Sequence, residues 1–491
     1  MGGILEAIGD IFIVLGSIIA IIAGAIIGIG EGFFKTVDSY FRGLSYSVHK
    51  GTSLKTRREV CEPAEEKYFF YKQYEDLNNT YKSAVSVNKG KILVLKQQLV
   101  SRSYFTFGRI KVAQFIIYTI GNILNTICFF THFLIITVIS IPIYIFYFIV
   151  VSMEKIKFTR EKISGVCPYC HIKFHIPYYI CPSCEKVHKR LEAGPYGIMK
   201  RTCRCGEVIP STNFAGRAKL RAICPICYKN IESKETSPIC IPIIGGVSAG
   251  KTSFMYSALD TLINDLAKAK KWNIRFLNEK EELKIRECID TLNKGSLPRK
   301  TIKQDTVPYS VFINSHKFCS EKLLCMYDIA GEYFDIRDSI RRHKYYRYID
   351  GLIFIIDPLS IEGVANSISE KQEFLKSSHS NANINDLLDR FILGLREVKE
   401  IKLNKFIDVP IAVIVNKMDV LQGQENIIEF IKASGEDKLI RKFEHNFSNY
   451  HFFSCSALGH SNSGEPHKAQ GIFEAVEWIL GQANQDMKYT N

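Results

Sequence analysis

The sequence predicts an α/β fold with a doubly wound, mostly parallel sheet, preceded by transmembrane helices and two small zinc ribbons. Three observations carry this prediction. A glycine-rich loop joins an apolar strand to a helix at the start of the region 238–485. Long uncharged runs lie near the N-terminus, and four close cysteine pairs lie between these runs and the loop. A chain of 491 residues has room for several domains.

The glycine-rich loop is the most specific motif. The segment Gly245-Gly246-Val247-Ser248-Ala249-Gly250-Lys251-Thr252 matches G-x-x-x-x-G-K-[ST] in full. The apolar run 238–244 predicts a strand before it, although Pro242 is unusual inside a strand, and 253–268 predicts a helix after it. We expect Lys251 to reach the β- and γ-phosphates and Thr252 to hold Mg²⁺. Further phosphate contacts are expected at Gly245, Ser248, Ala249, Gly250 and Ser253.

Two later segments indicate which nucleotide binds. The apolar run 411–415 leads into Asn416-Lys417-Met418-Asp419, an N-K-x-D motif. The Asp419 carboxylate is expected to accept hydrogen bonds from the ring N–H and the exocyclic amine of guanine, a donor pair that adenine lacks. The segment 452–458 resembles the S-A loop of GTPases, in which the backbone at Ser456 and Ala457 is expected to contact the guanine oxygen.

A third segment supplies groups for the metal and the γ-phosphate. The apolar strand 323–327 ends in Asp328-Ile329-Ala330-Gly331-Glu332. Asp328 is expected to hold Mg²⁺ through water, and the Gly331 N–H is expected to reach the γ-phosphate. With the order and spacing of all four motifs, the sequence predicts a site for GTP or GDP with Mg²⁺.

These motifs resemble those of a TRAFAC-class, Ras-like P-loop GTPase over about 238–481. The box from Asp328 to Glu332 is similar to bacterial double-GTPase-like families, which are often linked to biological-conflict systems. The resemblance implies a P-loop GTPase fold and hydrolysis of GTP, with catalytic roles for Lys251, Thr301, Gly331 and Glu332.

Two departures from the Ras-like pattern affect catalysis. Glu332 stands where Ras-like proteins carry the glutamine that orients water, so hydrolysis is expected to be slow without an activating partner or self-association. Arg299 and Arg337 are the nearest candidates for a charge-stabilising arginine. An extra strand (272–277) and a charged helix (279–293) precede Thr301, the candidate for closing over Mg²⁺, with Thr306 as the alternative.

Two apolar runs predict membrane segments. Residues 112–153 contain no Asp, Glu, Lys or Arg over 42 positions, which suits two helices with a turn at 130–133 and a kink at Pro142. Residues 11–29, within an N-terminal segment 1–30, are also uncharged. Their stripe of Ala20, Gly24 and Gly28 suits close helix packing. An interfacial or core helix is the alternative for this second run.

The basic charge lies beside these runs. The net charge is +14; residues 31–111, predicted as a mostly helical cytosolic region, hold 15 Lys/Arg against 8 Asp/Glu, and 154–237 hold 16 against 7. By the positive-inside rule both regions face the cytoplasm, which predicts a multi-pass protein with its GTPase and ribbons on that side. Membrane lipid explains the basic excess more simply than nucleic acid does, although nucleic acid remains the alternative.

Four cysteine pairs predict two structural Zn²⁺ ions in tandem ribbons over 160–235. Consecutive pairs form each predicted ribbon, and a reducing cytosol disfavours disulfides. His171, His175 and His188 are possible substitute ligands, each expected to be a surface residue instead. The predicted ligands are Cys167, Cys170, Cys181 and Cys184 for the first ion and Cys203, Cys205, Cys224 and Cys227 for the second.

The sequence thus favours a membrane-anchored GTPase switch, and the family resemblance implies a role in a bacterial defence or conflict system. One alternative is an oligomeric effector that perturbs the membrane when nucleotide binds. Another is a nucleic-acid sensor that uses its zinc ribbons at the membrane.

Overall fold

The computed structural model describes nine stretches of chain, which form two compact units. The helical unit comprises Met1–Lys155 and Cys181–Arg217, and the sheet unit comprises Ile156–Ile180 and Ala218–Asn491. The cysteine-rich block, predicted as one domain, is therefore divided between the units. The described residues are 2–51, 62–97, 104–232, 235–294, 308–328, 344–361, 383–418, 427–458 and 469–488.

Long helices dominate the helical unit. Helix α1 (Gly2–Ile29) continues through a π-helical turn (Gly30–Phe34) into α2 (Lys35–Gly51). A 3₁₀ turn (Tyr68–Phe70) precedes α3 (Lys72–Gln97), and α4 (Tyr104–Arg160) is 57 residues long, its last turn lying in the sheet unit. Within the described part of the chain, two stretches are long and apolar enough to cross a membrane, judged by length and composition: Ile8–Ser45 and Phe107–Arg160.

Helix α1 packs closely along α4 through its glycines. A Cβ atom added at Gly28 would lie 2.7 Å from the Cβ of Ile116, and one at Gly24 would lie 2.5 Å from the carbonyl oxygen of Arg109. The two helices therefore run in the same direction, and the predicted packing role of Gly24 and Gly28 is confirmed. Side chains larger than hydrogen would force the helices apart at these positions.

Helix α3 returns antiparallel to α4. The rings of Tyr81 and Phe129 lie 5.1 Å apart, and Gln114 Nε2 donates to the carbonyl oxygen of Ile92 at 3.3 Å. The aromatic residues of α3 thus form a packing face, as their helical spacing indicates.

The hairpin predicted over 112–153 is wrong, because α4 is one uninterrupted α-helix through that run. The expected turn at 130–133 contains no glycine, proline or asparagine to end a helix. Hydroxyl groups on either side bond back within the helix, with Thr126 Oγ1 donating to Asn122 and Thr137 Oγ1 to Phe133, each at 2.8 Å. Pro142 lies inside the helix without ending it.

Short strands form the cysteine-rich segments. The strands are β1 (Gly165–Val166), β2 (Lys173–Phe174), β3 (Tyr178–Ile180), β4 (Val187–His188), β5 (Lys200–Thr202), β6 (Val208–Pro210), β7 (Ala222–Ile223) and β8 (Asn230–Ile231). In the sheet unit β1 pairs with β2, and β3, β7 and β8 form an antiparallel group; in the helical unit β5 and β6 form a hairpin.

A seven-stranded sheet forms the centre of the sheet unit. Its strands are β9 (Ser237–Gly245), β10 (Asn273–Phe276), β11 (Tyr309–Asn314), β12 (Lys322–Asp328), β13 (Leu352–Ile356), β14 (Ile411–Val415) and β15 (Tyr450–Ser454). Their spatial order is β10-β11-β12-β9-β13-β14-β15, parallel from β12 to β15 and antiparallel at the β10–β11 edge. The prediction of a mostly parallel sheet is confirmed.

Helices cover both faces of this sheet. One apolar layer includes Phe391 and Phe443, and the other includes Phe254 and Leu480. The two-sided cover explains why every residue of β13 and β14 is buried. The helices are α5 (Lys251–Thr261), which continues through a π-helical turn (Leu262–Leu266) into α6 (Ala267–Ala269), then α7 (Glu279–Asn293), α8 (Ile384–Val398), α9 (Ile427–Ala433), α10 (Asp437–Asn446), α11 (Ile472–Ala483) and α12 (Gln485–Lys488).

Candidate functional site

The candidate phosphate loop lies at the carboxyl end of β9. Gly250 has φ +85°, and a Cβ atom there would collide with the side-chain amide of Asn416. Glycine is required at this position on both counts. Helix α5 begins at Lys251 and directs its N-terminal N–H groups into the loop, where they favour an anion.

Lys251 and Thr252 both have defined partners. Lys251 Nζ donates to the carbonyl oxygens of Gly245 at 3.1 Å and Gly246 at 2.7 Å. Burial lowers the pKa of this lysine to about 8, partly opposed by the charge of Asp328. Thr252 Oγ1 donates to Asp328 Oδ2 at 2.8 Å.

Asp328 ends β12, the parallel neighbour of β9, and therefore emerges beside the loop. Two of the three residues predicted to hold Mg²⁺, Thr252 and Asp328, are thus in direct contact, and the third, Thr301, lies outside the described residues. A hydroxyl and a carboxylate are oxygen donors of the kind that Mg²⁺ takes in proteins, so this pair fits the ion.

The predicted base-binding motif is tied to the phosphate loop through Asn416. Asn416 Nδ2 donates to the carbonyl oxygen of Ala249 at 3.2 Å, and Asn416 Oδ1 accepts from the Ala457 N–H at 3.1 Å. Three motifs that are far apart in sequence therefore meet at one buried amide. Ser456 holds its own loop by exchanging backbone hydrogen bonds with Gln470.

Lys417 is held on two sides. Its Nζ donates to the carbonyl oxygen of Ser248 at 3.0 Å and to Asp357 Oδ2 at 2.7 Å. Asp357 follows β13 and is fully buried. Sequence reasoning missed Asp357, although an aspartate directly after a buried strand was the signal already used for Asp328.

The structure brings together the predicted residues of the phosphate loop, Asp328, Asn416, Lys417, Ser456 and Ala457. The remaining predictions of catalytic and base-reading residues lie outside the described residues. They are Thr301 with its alternative Thr306, Gly331, Glu332 and Asp419, together with Arg299 and Arg337.

The eight paired cysteines form two groups whose Sγ atoms lie within 4.8 Å of one another. The outer cluster is Cys167, Cys170, Cys224 and Cys227, and the inner cluster is Cys181, Cys184, Cys203 and Cys205. The predicted grouping of consecutive pairs is therefore wrong, because the inner cluster is nested within the outer one. Pairing of β3 with β7 closes the outer cluster around the segment that carries the inner one.

Each of the four cysteine pairs ends in a turn whose backbone N–H donates to the carbonyl oxygen of the first cysteine. The residue after each pair has a positive φ: 51° at His171, 56° at Glu185, 94° at Gly206 and 59° at Tyr228. Four thiolates at this separation match a tetrahedral structural zinc site. Because burial raises the pKa of Cys203 to about 12, binding a metal there must displace a proton.

The three histidines lie outside both clusters of potential ligands among the described residues. His171 and His175 instead pack their rings against aromatic side chains. His188 is wholly buried, which corrects its expected surface position, and its Nδ1 lies 3.7 Å from Glu62 Oε2.

The outer cluster is continuous with the core of the sheet unit. The His171 ring lies 5.6 Å from that of Tyr327 and 5.7 Å from that of Tyr345, and these two tyrosines stack at 4.4 Å. Tyr348 Oη donates to the His171 carbonyl oxygen at 2.9 Å. His171 follows Cys170 of the outer cluster and Tyr327 precedes Asp328, so one ring contact connects the neighbours in sequence of a cluster cysteine and of the candidate metal ligand.

The inner cluster is built instead on buried charges of the helical unit. Arg217 Nη2 donates to Glu154 Oε1 of α4 at 2.8 Å, and Asn213 N–H donates to the same oxygen at 2.8 Å. Arg201 Nη1 lies 3.7 Å from Glu62 Oε2. Removing one partner of such a buried pair leaves an uncompensated charge, so these contacts fix the inner cluster to α4 and to the segment that begins at Glu62.

Comparison with known proteins identifies one similar family. Residues 239–467 match the model of the Double-GTPase 2 family. This match covers somewhat less than half of the chain and includes the motifs described above. It supports a GTP-binding protein and is consistent with GTPase activity. A search of curated proteins gives no match.

Proposed function

We propose that the chain is a membrane-anchored GTP-binding protein that hydrolyses GTP to GDP and acts as a molecular switch. The supporting observation is the bridge made by Asn416, which joins the phosphate loop to the Ser456–Ala457 loop. The match of 239–467 to a double-GTPase family supports guanine nucleotide as the ligand. A role in bacterial conflict rests on the family resemblance alone.

Each residue has a proposed task in binding. Backbone N–H groups of the loop and Lys251 would bind the phosphates, while Thr252 and Asp328 would hold Mg²⁺, which offsets phosphate charge when bound. Lys417 would pack its stem against the base, and Asp419 would accept hydrogen bonds from guanine.

Binding is tested with fluorescent GTP, GDP and ATP analogues on the purified full chain. GTP and GDP should bind far more tightly than ATP. Asp419→Asn should shift preference toward xanthosine nucleotides, because xanthine presents an acceptor where guanine presents an amine. Equal affinity of the natural protein for ATP and GTP would contradict the guanine assignment.

For hydrolysis we propose roles for Thr301, Gly331 and Glu332. Glu332 replaces an amide that holds water and would repel the γ-phosphate, so turnover should be slow and should rise with protein concentration if self-association supplies the missing charge. The rate is measured against concentration in detergent and in liposomes. A fast rate that is independent of concentration, together with an inactive Glu332→Ala variant, would make Glu332 a competent base.

We propose that the outer cluster transmits the state of the nucleotide site. His171 contacts Tyr327, which precedes Asp328, and Tyr345, which follows the segment containing Gly331 and Glu332. A rearrangement of that segment would reach the zinc-binding turn through these rings.

His171→Ala tests this coupling, with His175→Ala as its control. His175 lies four positions after His171 in the sequence but packs against Phe158. His171→Ala should change the ratio of GTP to GDP affinity about fivefold or more while the zinc content is kept, since coupling energies are typically about 1–3 kcal/mol. Equal effects of both substitutions would contradict the coupling.

The helical unit supports anchoring at a membrane. Large apolar side chains are exposed along α1 and α4, including Phe12, Ile22, Phe115, Leu134 and Phe148. On a water-soluble protein, an exposed apolar surface of this kind marks a site that binds another protein or a membrane. We propose multi-pass insertion with the sheet unit and both clusters facing the cytoplasm, where GTP is available.

A specific feature favours the alternative of a membrane-perturbing oligomer. At the level where α3 lies beside α4, α3 exposes Lys82 and Lys89, while α4 exposes Phe115, Ile123 and Phe130. If this part of the bundle enters a bilayer, the α3 face needs water, which several copies could enclose. Dye release from liposomes tests this alternative, and the release should require nucleotide. Lys82→Glu should change the ion selectivity of the opening. Liposomes that stay intact although the protein is fully inserted would contradict the alternative.

A further inference from the structure

Asp357 is a buried carboxylate at the edge of the candidate base site. Its side chain is 0 % exposed, and it follows β13 directly. Asp357 Oδ1 accepts from the Leu359 N–H at 3.0 Å, and Oδ2 accepts from Lys417 Nζ at 2.7 Å. Capping the 3₁₀ turn at Pro358–Ser360 needs only a neutral acceptor, so the negative charge calls for a second explanation.

The charge is matched by Lys417, whose backbone is itself unusual. Lys417 has φ +57°, a backbone conformation that residues other than glycine rarely adopt. Its side chain remains 23 % exposed, although its ammonium group is fixed between Asp357 and the Ser248 carbonyl. Fixing the ammonium at both partners holds the methylene stem in one place beside the phosphate loop.

We propose that Asp357 is a positioning residue for guanine nucleotide, acting through Lys417. It keeps the lysine stem ordered as an apolar surface for the flat face of the purine, and it keeps the ammonium away from the base edge. This inference rests on the proposed function of the same site. A desolvated, charge-assisted hydrogen bond is strong enough for such a role.

The test is Asp357→Asn in the full chain, with dissociation of fluorescent GDP and GTP as the readout. Asparagine keeps an acceptor for Leu359 but loses the charge. Dissociation of both nucleotides should accelerate by the same factor, about tenfold, because hydrogen bonds to charged groups typically contribute that much and the base is common to both. A larger effect on GTP than on GDP would indicate the phosphate side and overturn the proposal.

Asp350→Asn is the matched control. Asp350 precedes the same strand, is half-buried, and accepts from the Cys240 N–H at 3.0 Å. Its substitution should alter thermal stability without accelerating nucleotide dissociation. If both substitutions accelerate dissociation equally, Asp357 merely stabilises β13 and the positioning role is wrong.

A double-mutant cycle separates the pair from its surroundings. Lys417→Met should accelerate dissociation by itself, and adding Asp357→Asn should then have little further effect, since the two residues act as one unit. Multiplicative effects would overturn the proposal. If the natural protein binds no guanine nucleotide, the proposed function fails; if it binds and Asp357→Asn dissociates at the natural rate, only this inference fails.

Discussion

The sheet unit and the helical unit distribute polar and apolar side chains in opposite ways. In the sheet unit β13 and β14 are wholly buried and apolar, and the polar residues of the candidate site gather at strand ends. In the helical unit Thr36, Asn88 and Asn125 are buried, while isoleucines and phenylalanines of α1 and α4 are exposed. Thr36 and Asn88 bond to each other at 3.1 Å inside the bundle.

This difference indicates that the two units are built for different surroundings. Apolar burial drives folding in water, and the sheet unit follows that rule. In a bilayer or an assembly the outer surface is apolar, and polar side chains turn inward to bond with one another. The nested cysteine clusters follow the same division, since the inner one is fixed by buried charges and the outer one by the aromatic core of the sheet unit.

The largest expected effect separates the two units by function. Lys251→Ala should abolish detectable GTP binding, because the phosphates lose their cation, while membrane association stays unchanged. Binding is measured by nucleotide fluorescence and membrane association by flotation with liposomes. Lys294→Ala, at an exposed lysine of the sheet unit, is the control. Loss of flotation in Lys251→Ala would show that anchoring depends on the nucleotide site.

Zinc removal should affect the units one at a time. The natural protein should carry two zinc ions per chain, and Cys224→Ser and Cys181→Ser should each lose one. Hydrogen exchange should then rise near Tyr327 and Tyr345 in Cys224→Ser, but near Glu154 and Glu62 in Cys181→Ser. Elemental analysis gives the metal content. Loss of both ions from either variant would contradict two independent clusters.

In the helical unit, helix packing should tolerate the substitution of Gly108 by alanine but not that of Gly28. Gly28→Ala places a methyl group 2.7 Å from Ile116 Cβ and should destabilise the bundle by roughly 1–3 kcal/mol. Gly108→Ala meets no atom within 4 Å and should be neutral or stabilising by up to about 1 kcal/mol. Chemical unfolding of the helices measures both, and GTP affinity should be unchanged. Equal stability of the two variants would contradict the close contact of α1 with α4.

The smallest expected effect is the pH dependence of the phosphate site. Burial lowers the pKa of Lys251 to about 8, so its ammonium is lost as the pH rises through that value. GTP affinity should fall about fourfold between pH 6.5 and 8.5, whereas GMP, which lacks the β- and γ-phosphates, should show no such fall. The folded protein then binds fewer protons than the unfolded chain from about pH 8 upward, so this group makes stability rise with pH there. Competition binding at each pH checks the prediction.

The sequence was sufficient where the information is local. The loop from Gly245 to Thr252, the helix at Glu279–Asn293 and the strand at Ile411–Val415 were all predicted with their observed bounds or nearly so. Glycine conformations, capping residues and the period of apolar side chains act within a few residues, so one sequence shows them. The meeting of Thr252 with Asp328 also followed, because parallel strands bring their carboxyl ends to one edge.

Tertiary structure decided whatever depends on a choice among distant partners. Four similar cysteine pairs allow three groupings, and only the pairing of β3 with β7 selects the nested one. The apolar run in α4 suits one long helix or two short ones by composition, and packing against α1 and α3 accompanies the single helix. Asp357 meets Lys417 because β13 and β14 are neighbours in the sheet, a contact between residues sixty positions apart that no local pattern records.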